Sequence, residues 1–419
     1  MKLRETILSI ALFLLLILSY VFLSTTKYEQ VDIGDALSVA MDSLSSNQEL
    51  IVLNSKNPFN FHDILNNLDG VSDQEVYAII TYPDIKKDQY PVVVGFAGSL
   101  GWGDHHRGYL DRYLDMGIAT ATVHSFKSRG VSSTVGEQVS VTMAMMIHDG
   151  YMLLEHIDKI SNLNSDKVAI TGWSLGGGVT LFSAWKPIQE KISPDLMFAG
   201  HLAFYPPCLA EPESHEFTGA PIHILIGELD TWVPAEPCEE LIQFLKEDGY
   251  EYAEFNGGPK QSAKFKNAHH SFDRADTTLK VIDHAYSLID CRLSLSDNGV
   301  VKTKQYGFPL SNSILQKIGL YFCADRGPTM GGNDLARVLG WGGGFGFQEI
   351  ISEILLQVME AHPTLLDRWT ATLTPLPKKE LSNPQTPNDV SGTTTPGGGG
   401  GKSDEEKSGG DKTPGSPST

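Results

Sequence analysis

Residues 168–178 constrain the fold of this chain most, because they combine a short apolar run with a glycine-rich turn and an apolar, helix-compatible continuation. This pattern predicts a buried strand, a sharp turn and the start of a helix. Ser174 lies at the point of the turn, between Gly172 and Gly176. Since glycines have no side chain, the strand and the helix can pass close together while the serine takes a strained conformation. The alternative interpretation is a glycine-rich turn with an idle serine.

A serine hydroxyl is a weak nucleophile, so an enzyme that uses one must expose it, place a base beside it and aim hydrogen-bond donors at the developing oxyanion. The predicted turn would expose Ser174. The first backbone N–H groups of the following helix, that of Leu175 among them, would point at the negative charge. The pattern therefore makes Ser174 a candidate nucleophile and the Leu175 N–H a candidate oxyanion donor.

Strand and helix signals alternate along the chain, which is typical of a mostly parallel sheet with helices on both faces. Besides the strand before Ser174, strands are predicted at residues 76–82, 92–96, 119–123, 198–204, 222–227 and 252–255. Apolar stripes at residues 109–114 and 143–157 predict helices between them. In an open sheet of this class, ligands bind at the carboxyl ends of the strands.

Two further polar residues follow predicted strands, so they belong to the same edge of the sheet as Ser174. Asp230 comes just after the strand at 222–227, and His270 lies in the loop after the strand at 252–255. Serine, then aspartate, then histidine is the chain order of α/β hydrolases. We therefore predict an α/β-hydrolase fold with a triad of Ser174, Asp230 and His270.

From residue 76 onward the chain resembles the dienelactone hydrolase family of α/β hydrolases. The matching pieces are YPVVV at 90–94, SRG at 128–130, GWSLGG at 172–177, YPPC at 205–208, GELD at 227–230 with VP at 233–234, and HSFD at 270–273. The resemblance implies that Ser174 is the nucleophile, Asp230 the orienting acid and His270 the base. It also implies an oxyanion hole made by the N–H groups of Leu175 and Ser99. The name-giving enzymes have a cysteine where this chain has Ser174, so the chain resembles a serine-nucleophile variant.

This resemblance predicts a serine hydrolase that cleaves a carboxylic ester or related acyl bond of a small molecule through an acyl-enzyme, with no cofactor. Because neighbouring residues of an extended loop point in opposite directions, only one of His269 and His270 can face Ser174, and we assign His270. Two alternatives stay open: a non-catalytic envelope binding module on the same fold, and a peptidase or acyltransferase that uses the same triad.

The amino terminus carries an uncharged apolar run at residues 7–23, preceded by Lys2 and Arg4. The run just reaches the length needed to cross a bilayer, and no small-x-small cleavage site follows it. We predict that residues 1–26 are an uncleaved signal anchor that holds the protein on a membrane, facing the periplasm or cell exterior. The alternative is a cleaved signal peptide and a secreted protein.

The charge balance of 32 basic and 51 acidic residues, a net charge of −19, argues against binding to nucleic acid or to an anionic lipid surface. The pairs His105-His106 and His269-His270 complete no recognisable ligand spacing, so no metal site is predicted. Arg129 has two interpretations, a ligand for a substrate carboxylate and a structural ion pair.

Four cysteines in an exported protein predict two disulfides, Cys208 with Cys238 and Cys291 with Cys323, although buried free thiols are the alternative. We predict one hydrolase domain over residues 27–375, including a carboxyl-terminal extension from about residue 290. The Pro/Gly/Ser/Thr-rich residues 376–419 lack the apolar content to fold and predict a disordered tail. The sequence leaves the oligomeric state open.

Overall fold

The computed structural model of this protein describes residues 2–23, 27–250, 253–255 and 265–337. The predicted tail at 376–419 and the last part of the predicted extension, residues 338–375, lie outside the described residues.

Eight of the fifteen strands in the described residues form a sheet at the centre of the fold. The strands, in chain order, are β1 (Gln48–Lys56), β2 (Asp73–Thr81), β3 (Tyr90–Phe96), β4 (Ala119–Val123), β5 (Leu163–Trp173), β6 (Gly200–Phe204), β7 (Ala210–Pro212), β8 (Ile222–Leu225), β9 (Ala253–Phe255), β10 (Lys280–Val281), β11 (Tyr286–Ser287), β12 (Leu293–Leu295), β13 (Val301–Thr303), β14 (Asp325–Arg326) and β15 (Thr329–Met330). The central order is β1-β2-β4-β3-β5-β6-β8-β9. Strand β2 pairs antiparallel with both β1 and β4, and the other pairs are parallel. The predicted mostly parallel sheet is confirmed.

The helices of the described residues lie between these strands and before the first of them. They are α1 (Lys2–Leu23), α2 (Gly34–Asp42), α3 (Phe61–Asn67), α4 (Asp104–Asp115), α5 (Met143–Ile157), α6 (Leu175–Phe182), α7 (Lys186–Ile192), α8 (Glu236–Glu247) and α9 (Ser313–Tyr321). Helix α5 begins where the Thr142 side chain accepts a hydrogen bond from the Met145 N–H, and most of its residues are buried. The two predicted helices therefore correspond to α4 and α5.

Strand β3 is buried along its whole length, which is why it reads as a continuous apolar run. Strand β1, by contrast, is an antiparallel edge strand whose burial alternates along its central residues. The sequence patterns do not predict β1, because half of its side chains face solvent and it precedes the region of clear strand and helix alternation.

Of the two interpretations of Arg129, a ligand for a substrate carboxylate and a structural ion pair, the structure supports the ion pair. Its guanidinium donates two hydrogen bonds to Asp149, of 2.8 and 2.9 Å, and both side chains are at most 4% exposed. It also donates to the Asn57 side chain at 2.7 Å and to the carbonyl oxygen of Lys56 at 3.1 Å. This buried ion pair therefore links the loop after β4 to helix α5 and to the end of β1.

Both predicted disulfides are present. Cys208, after β6, is bonded to Cys238 in α8, and Cys291 is bonded to Cys323, just beyond α9. Disulfides of this kind are typical of proteins outside the reducing cytosol.

Residues 286–324, called the cap segment below, build a second small apolar core around the Cys291–Cys323 bond. Its buried members are Leu209, Cys291, Leu293, Leu310 and Leu320. Strand β12 pairs in parallel with β7 and antiparallel with β13, which attaches the cap segment to the chain that follows β6. A hydrogen bond from the Asn60 amide to the Ser311 carbonyl oxygen, 2.9 Å long, ties it to the start of α3.

Helix α1 ends against the cap segment. The Asn312 amide donates to the Val21 carbonyl oxygen at 2.9 Å, and the rings of Phe22 and Phe308 lie 5.8 Å apart. Within the described residues, no helix combines the length and the apolarity needed to cross a membrane.

Candidate active site

Ser174 occupies the sharp turn between β5 and α6. Its backbone has φ +56° and ψ −114°, in the positive-φ region that residues with a side chain rarely adopt. A strained serine at this junction projects its hydroxyl away from the strand and the helix that it joins.

The two glycines of the turn are required by close backbone contacts. A Cβ atom on Gly172 would lie 2.1 Å from the carbonyl oxygen of Gly176, and one on Gly176 would lie 2.2 Å from that of Phe96. A side chain on Gly172 would push α6 away from β5, and one on Gly176 would push α6 away from β3. The glycine pattern therefore has the physical cause that the sequence suggested.

Ser174, His270 and Asp230 form one chain of hydrogen bonds. His270 Nε2 lies 2.9 Å from Ser174 Oγ, and His270 Nδ1 lies 2.7 Å from Asp230 Oδ2. A carboxylate can only accept, so the Nδ1 atom carries the proton and donates to Asp230. The unprotonated Nε2 is then free to accept the hydroxyl proton of Ser174.

Backbone hydrogen bonds and aromatic rings fix this chain in position. Asp230 Oδ1 accepts from the backbone N–H groups of Trp232 at 2.9 Å and Val233 at 3.0 Å. The His270 ring packs against Tyr205 and Trp232, with ring centres 4.6 and 4.9 Å away. The carboxylate and the imidazole are therefore held before any substrate arrives.

His269 points elsewhere, to a hydrogen bond of 2.9 Å between its Nδ1 and Thr329 Oγ1. The structure thus brings His270, and not its neighbour, to Ser174.

The two residues expected to donate to an oxyanion both lie beside Ser174. Leu175 is the first residue of α6, so no helical carbonyl accepts its N–H. Ser99 follows β3 in a loop that approaches Ser174 closely, since a Cβ on the preceding Gly98 would lie 3.3 Å from Ser174 Cβ. The carbonyl oxygen of Ser99 accepts from the Thr134 N–H at 3.0 Å, which fixes this loop.

Tyr205 and Asp273 support the loop that carries His270. The Tyr205 hydroxyl donates to Asp273 Oδ1 at 2.9 Å, and both side chains are buried. Burial raises the pKa of the Asp273 carboxyl to about 6. The sequence marks both residues only through the YPPC and HSFD pieces, and no local pattern indicates that they touch.

The His105-His106 pair lies in α4 near the same site. Burial lowers the pKa of His105 to about 3, with the nearby Arg274 adding to the effect, so this ring is neutral at physiological pH. The His106 ring lies 4.5 Å from that of Trp173. Within the part of the chain that the structure describes, no group of three or more His, Cys, Asp or Glu residues could hold a metal ion.

Two cavities meet at Ser174. The larger has a volume of about 200 Å³ and an apolar lining to which the cap segment contributes Leu293, Val301 and Leu320. The smaller has about 20 Å³ and is lined by His270 and Arg274 as well as Ser174. Sequence reasoning does not find the cap residues, because they show no periodicity that relates them to a site more than a hundred residues earlier.

Comparison with known proteins identifies one family. The family model described as "Dienelactone hydrolase family" matches residues 78–287, half of the chain. Among solved structures, the apo form of Thermogutta terrifontis esterase 2 is 15% identical, with 55% of this chain and 87% of that one covered and a TM-score of 0.39. A dienelactone hydrolase-like promiscuous phosphotriesterase from metagenomic libraries is 16% identical, with coverage of 55% and 86% and a TM-score of 0.38.

One curated protein shares a short stretch. Diacylglycerol kinase 1 of Arabidopsis thaliana is 40% identical over 68 residues, which are 16% of this chain and 9% of that protein. The chain therefore spans a small fraction of that relative's length.

Proposed function

Because the chain belongs to the dienelactone hydrolase family and is a hydrolase that acts on ester bonds, we propose that it cleaves small-molecule carboxylic esters through an acyl-enzyme on Ser174. The observation that supports this proposal is the hydrogen-bonded chain from Ser174 through His270 to Asp230. No cofactor is needed for this chemistry.

In the first half of the reaction, His270 Nε2 takes the hydroxyl proton as Ser174 Oγ bonds to the ester carbonyl carbon. The N–H groups of Leu175 and Ser99 stabilise the resulting oxyanion. His270 then gives its proton to the alcohol oxygen, and the carbon–oxygen bond of the ester breaks.

In the second half, a water molecule takes the place of the alcohol. His270 removes a proton from it, the water oxygen bonds to the acyl carbon, and the proton returns to Ser174 Oγ as the acid leaves. Asp230 stabilises the imidazolium in both halves.

The hydrogen-bonded triad also helps to choose between an esterase and the two alternatives, a non-catalytic binding module and a peptidase or acyltransferase. A non-catalytic binding module has no need of a strained serine aligned with a buried histidine and aspartate, so the geometry favours the enzyme. A peptidase or an acyltransferase would use the same three residues, and only the nature of the acceptor and leaving group separates it from an esterase.

Turnover of p-nitrophenyl esters by wild-type protein and Ser174→Ala tests the proposal, with anilide substrates and added alcohol acceptors as parallel assays. We expect ester hydrolysis to fall by about four to six powers of ten in Ser174→Ala. The exposed Ser161→Ala serves as the matched control. A fluorophosphonate probe that labelled a different serine of an active protein would contradict the assignment, and faster anilide cleavage or acyl transfer would favour the alternatives.

We further propose that the protein is exported and held on a membrane by residues 7–23. Leu12, Phe13 and Leu16 of α1 are each about 60% exposed, which leaves apolar surface to cover. The two disulfides agree with an oxidising compartment.

A further inference from the structure

The two cavities at Ser174 are unequal, and their linings assign them to different parts of an ester. The base of the proposed reaction, His270, lines the small cavity. Among the described residues that line the large cavity, His270 is absent and Leu175, a proposed oxyanion donor, is present, whereas Ser99 lines both cavities.

The leaving oxygen must lie within hydrogen-bond reach of His270 Nε2 to receive its proton. The alcohol part of the substrate therefore enters the small cavity. The acyl carbon is bonded to Ser174 on the other side, so its chain extends into the large cavity.

The size of each cavity sets what it can hold. An apolar cavity of about 150 Å³ binds benzene, which has six carbons. On that scale, the cavity of about 200 Å³ holds a chain of about eight carbons. The small cavity of about 20 Å³ has room for one or two water-sized groups.

The cap segment forms one wall of the large cavity with residues of its own apolar core. Leu293, Leu310 and Leu320 belong both to that core and to the cavity lining. The Cys291–Cys323 bond and the Gln316 side chain, which donates to the Gln138 carbonyl oxygen at 2.8 Å, fix the segment over the cavity. A chain in this cavity would therefore contact a fixed apolar wall on the side of the cap segment.

We propose that the large cavity is an acyl-chain pocket, with one wall formed by the cap segment, that selects esters of medium-chain acids of about eight carbons with small alcohols. This proposal rests on the proposed ester hydrolysis at Ser174. It adds a substrate class and assigns specificity to a segment that lies, apart from its first two residues, beyond the matched region at 78–287.

The first test is the chain-length profile of kcat/KM for methyl esters from acetate to dodecanoate, because the methanol part fits the small cavity. Each methylene buried in an apolar pocket contributes about a fourfold gain, so kcat/KM should rise about four thousandfold from acetate to octanoate and then stop rising. The isomers methyl octanoate and heptyl acetate contain the same atoms, and we expect methyl octanoate to be preferred by about tenfold or more. A flat profile, or a preference for heptyl acetate, would overturn the assignment.

Three variants locate the pocket. Val301 is partly buried and lines the cavity, so Val301→Trp should fill it and lower the octanoate-to-acetate ratio by about fiftyfold or more. Leu320→Ala should move the optimum to longer chains. Lys302 is the exposed neighbour on β13 and points away from the cavity lining, so Lys302→Trp should leave the ratio within about threefold. Equal losses for acetate and octanoate in Val301→Trp, or the same loss of ratio in Lys302→Trp, would contradict the proposal.

Binding to the Ser174→Ala variant separates this proposal from the proposed function. By titration calorimetry, octanoate should bind about 250-fold more tightly than butyrate, and Val301→Trp should abolish the difference. If no ester is hydrolysed but octanoate binds in this way, the proposed function fails and the acyl-chain pocket stands. If esters are hydrolysed without chain-length selection and octanoate binds no better than butyrate, the pocket fails and the proposed function stands.

Discussion

His270 Nδ1 lies 2.7 Å from Asp230 Oδ2, and the two side chains are 2% and 0% exposed. The contact fixes which imidazole nitrogen carries the proton, because an ionised carboxylate accepts hydrogen bonds and donates none. Since water hardly reaches the pair, no solvent molecule can replace Asp230 as the partner of that nitrogen.

Replacing Asp230 by Asn should therefore lower kcat by about four powers of ten while the protein stays folded, because an amide facing Nδ1 favours the wrong tautomer. The amide oxygen can still accept from the Trp232 and Val233 N–H groups. Steady-state kinetics with a circular dichroism spectrum checks this result, and the exposed Asp195→Asn is the control. A loss below about tenfold would remove Asp230 from the triad.

The adjacent histidines provide a matched pair of variants. His270→Ala should lose ester hydrolysis by several powers of ten, because no other described group lies within reach of Ser174 Oγ to take its proton. His269→Ala removes only the hydrogen bond to Thr329, so kcat should change by less than about tenfold. The assignment is wrong if the two variants exchange these effects.

Asp273 should make stability depend on pH. Its pKa is raised to about 6 by burial, so the stability that it contributes is fully present below its unfolded pKa near 4 and is lost as the pH rises through 6. The shift corresponds to about 3 kcal/mol. Relative to wild type, Asp273→Asn should gain about that much free energy of unfolding between pH 4 and pH 8.

Urea denaturation at the two pH values measures this difference, with Asp195→Asn as the exposed control. A difference in the free energy of unfolding that stayed constant between pH 4 and pH 8 would show that Asp273 titrates normally.

The disulfide of the cap segment should stabilise the fold. Cys291 and Cys323 are 32 residues apart, and closing a loop of that length contributes about 3–4 kcal/mol through the entropy of the unfolded chain. Replacing both cysteines by serine should lower the free energy of unfolding by that amount. Denaturation of the oxidised wild-type protein and of the double variant provides the measurement, and equal stabilities would contradict the prediction.

The amino-terminal segment should stay attached and keep the protein on a membrane. Residues 7–23 carry no charge and lack a convincing cleavage site after them. We expect the full chain in the membrane fraction and a variant that lacks residues 2–26 in the soluble fraction. Sequencing the mature amino terminus decides the matter, since a soluble protein that begins near Thr25 would mean that the segment is a cleaved signal peptide.

The sequence predicts the turn at Ser174 and the residues at the sheet edge, because short sequence patterns indicate each of them. Ser174 lies within a glycine pattern whose spacing the backbone contacts require, and Asp230 and His270 each follow a strand signal. The disulfide pairs could be predicted for a related reason, since Cys208 and Cys238 follow neighbouring strands of the sheet.

Other features of the fold and the site depend on contacts between distant parts of the chain, and no local sequence pattern predicts them. Strand β1 alternates between buried and exposed side chains, so its place at the sheet edge depends on its partner β2. The role of Arg129 depends on Asp149, twenty residues away, and the wall of the large cavity depends on Val301 and Leu320 in a separate small core. In these cases the sequence shows which side chains are apolar or charged, but it does not show which distant residues they contact.

The buried pair of Arg129 and Asp149 also sets the smallest fragment that can fold. The region shared with the family begins at residue 78, yet Arg129 donates to Asn57 and to the Lys56 carbonyl oxygen, both of which precede it. A fragment trimmed to 78–287 would expose this charge pair, divide β2 and leave Cys291 and Cys323 behind. Leaving a buried hydrogen-bond donor without its acceptor costs about 1–3 kcal/mol, a large part of the stability of a typical domain. An expressible catalytic unit must therefore begin ahead of β1 and continue past Cys323, well outside the boundaries that family membership defines.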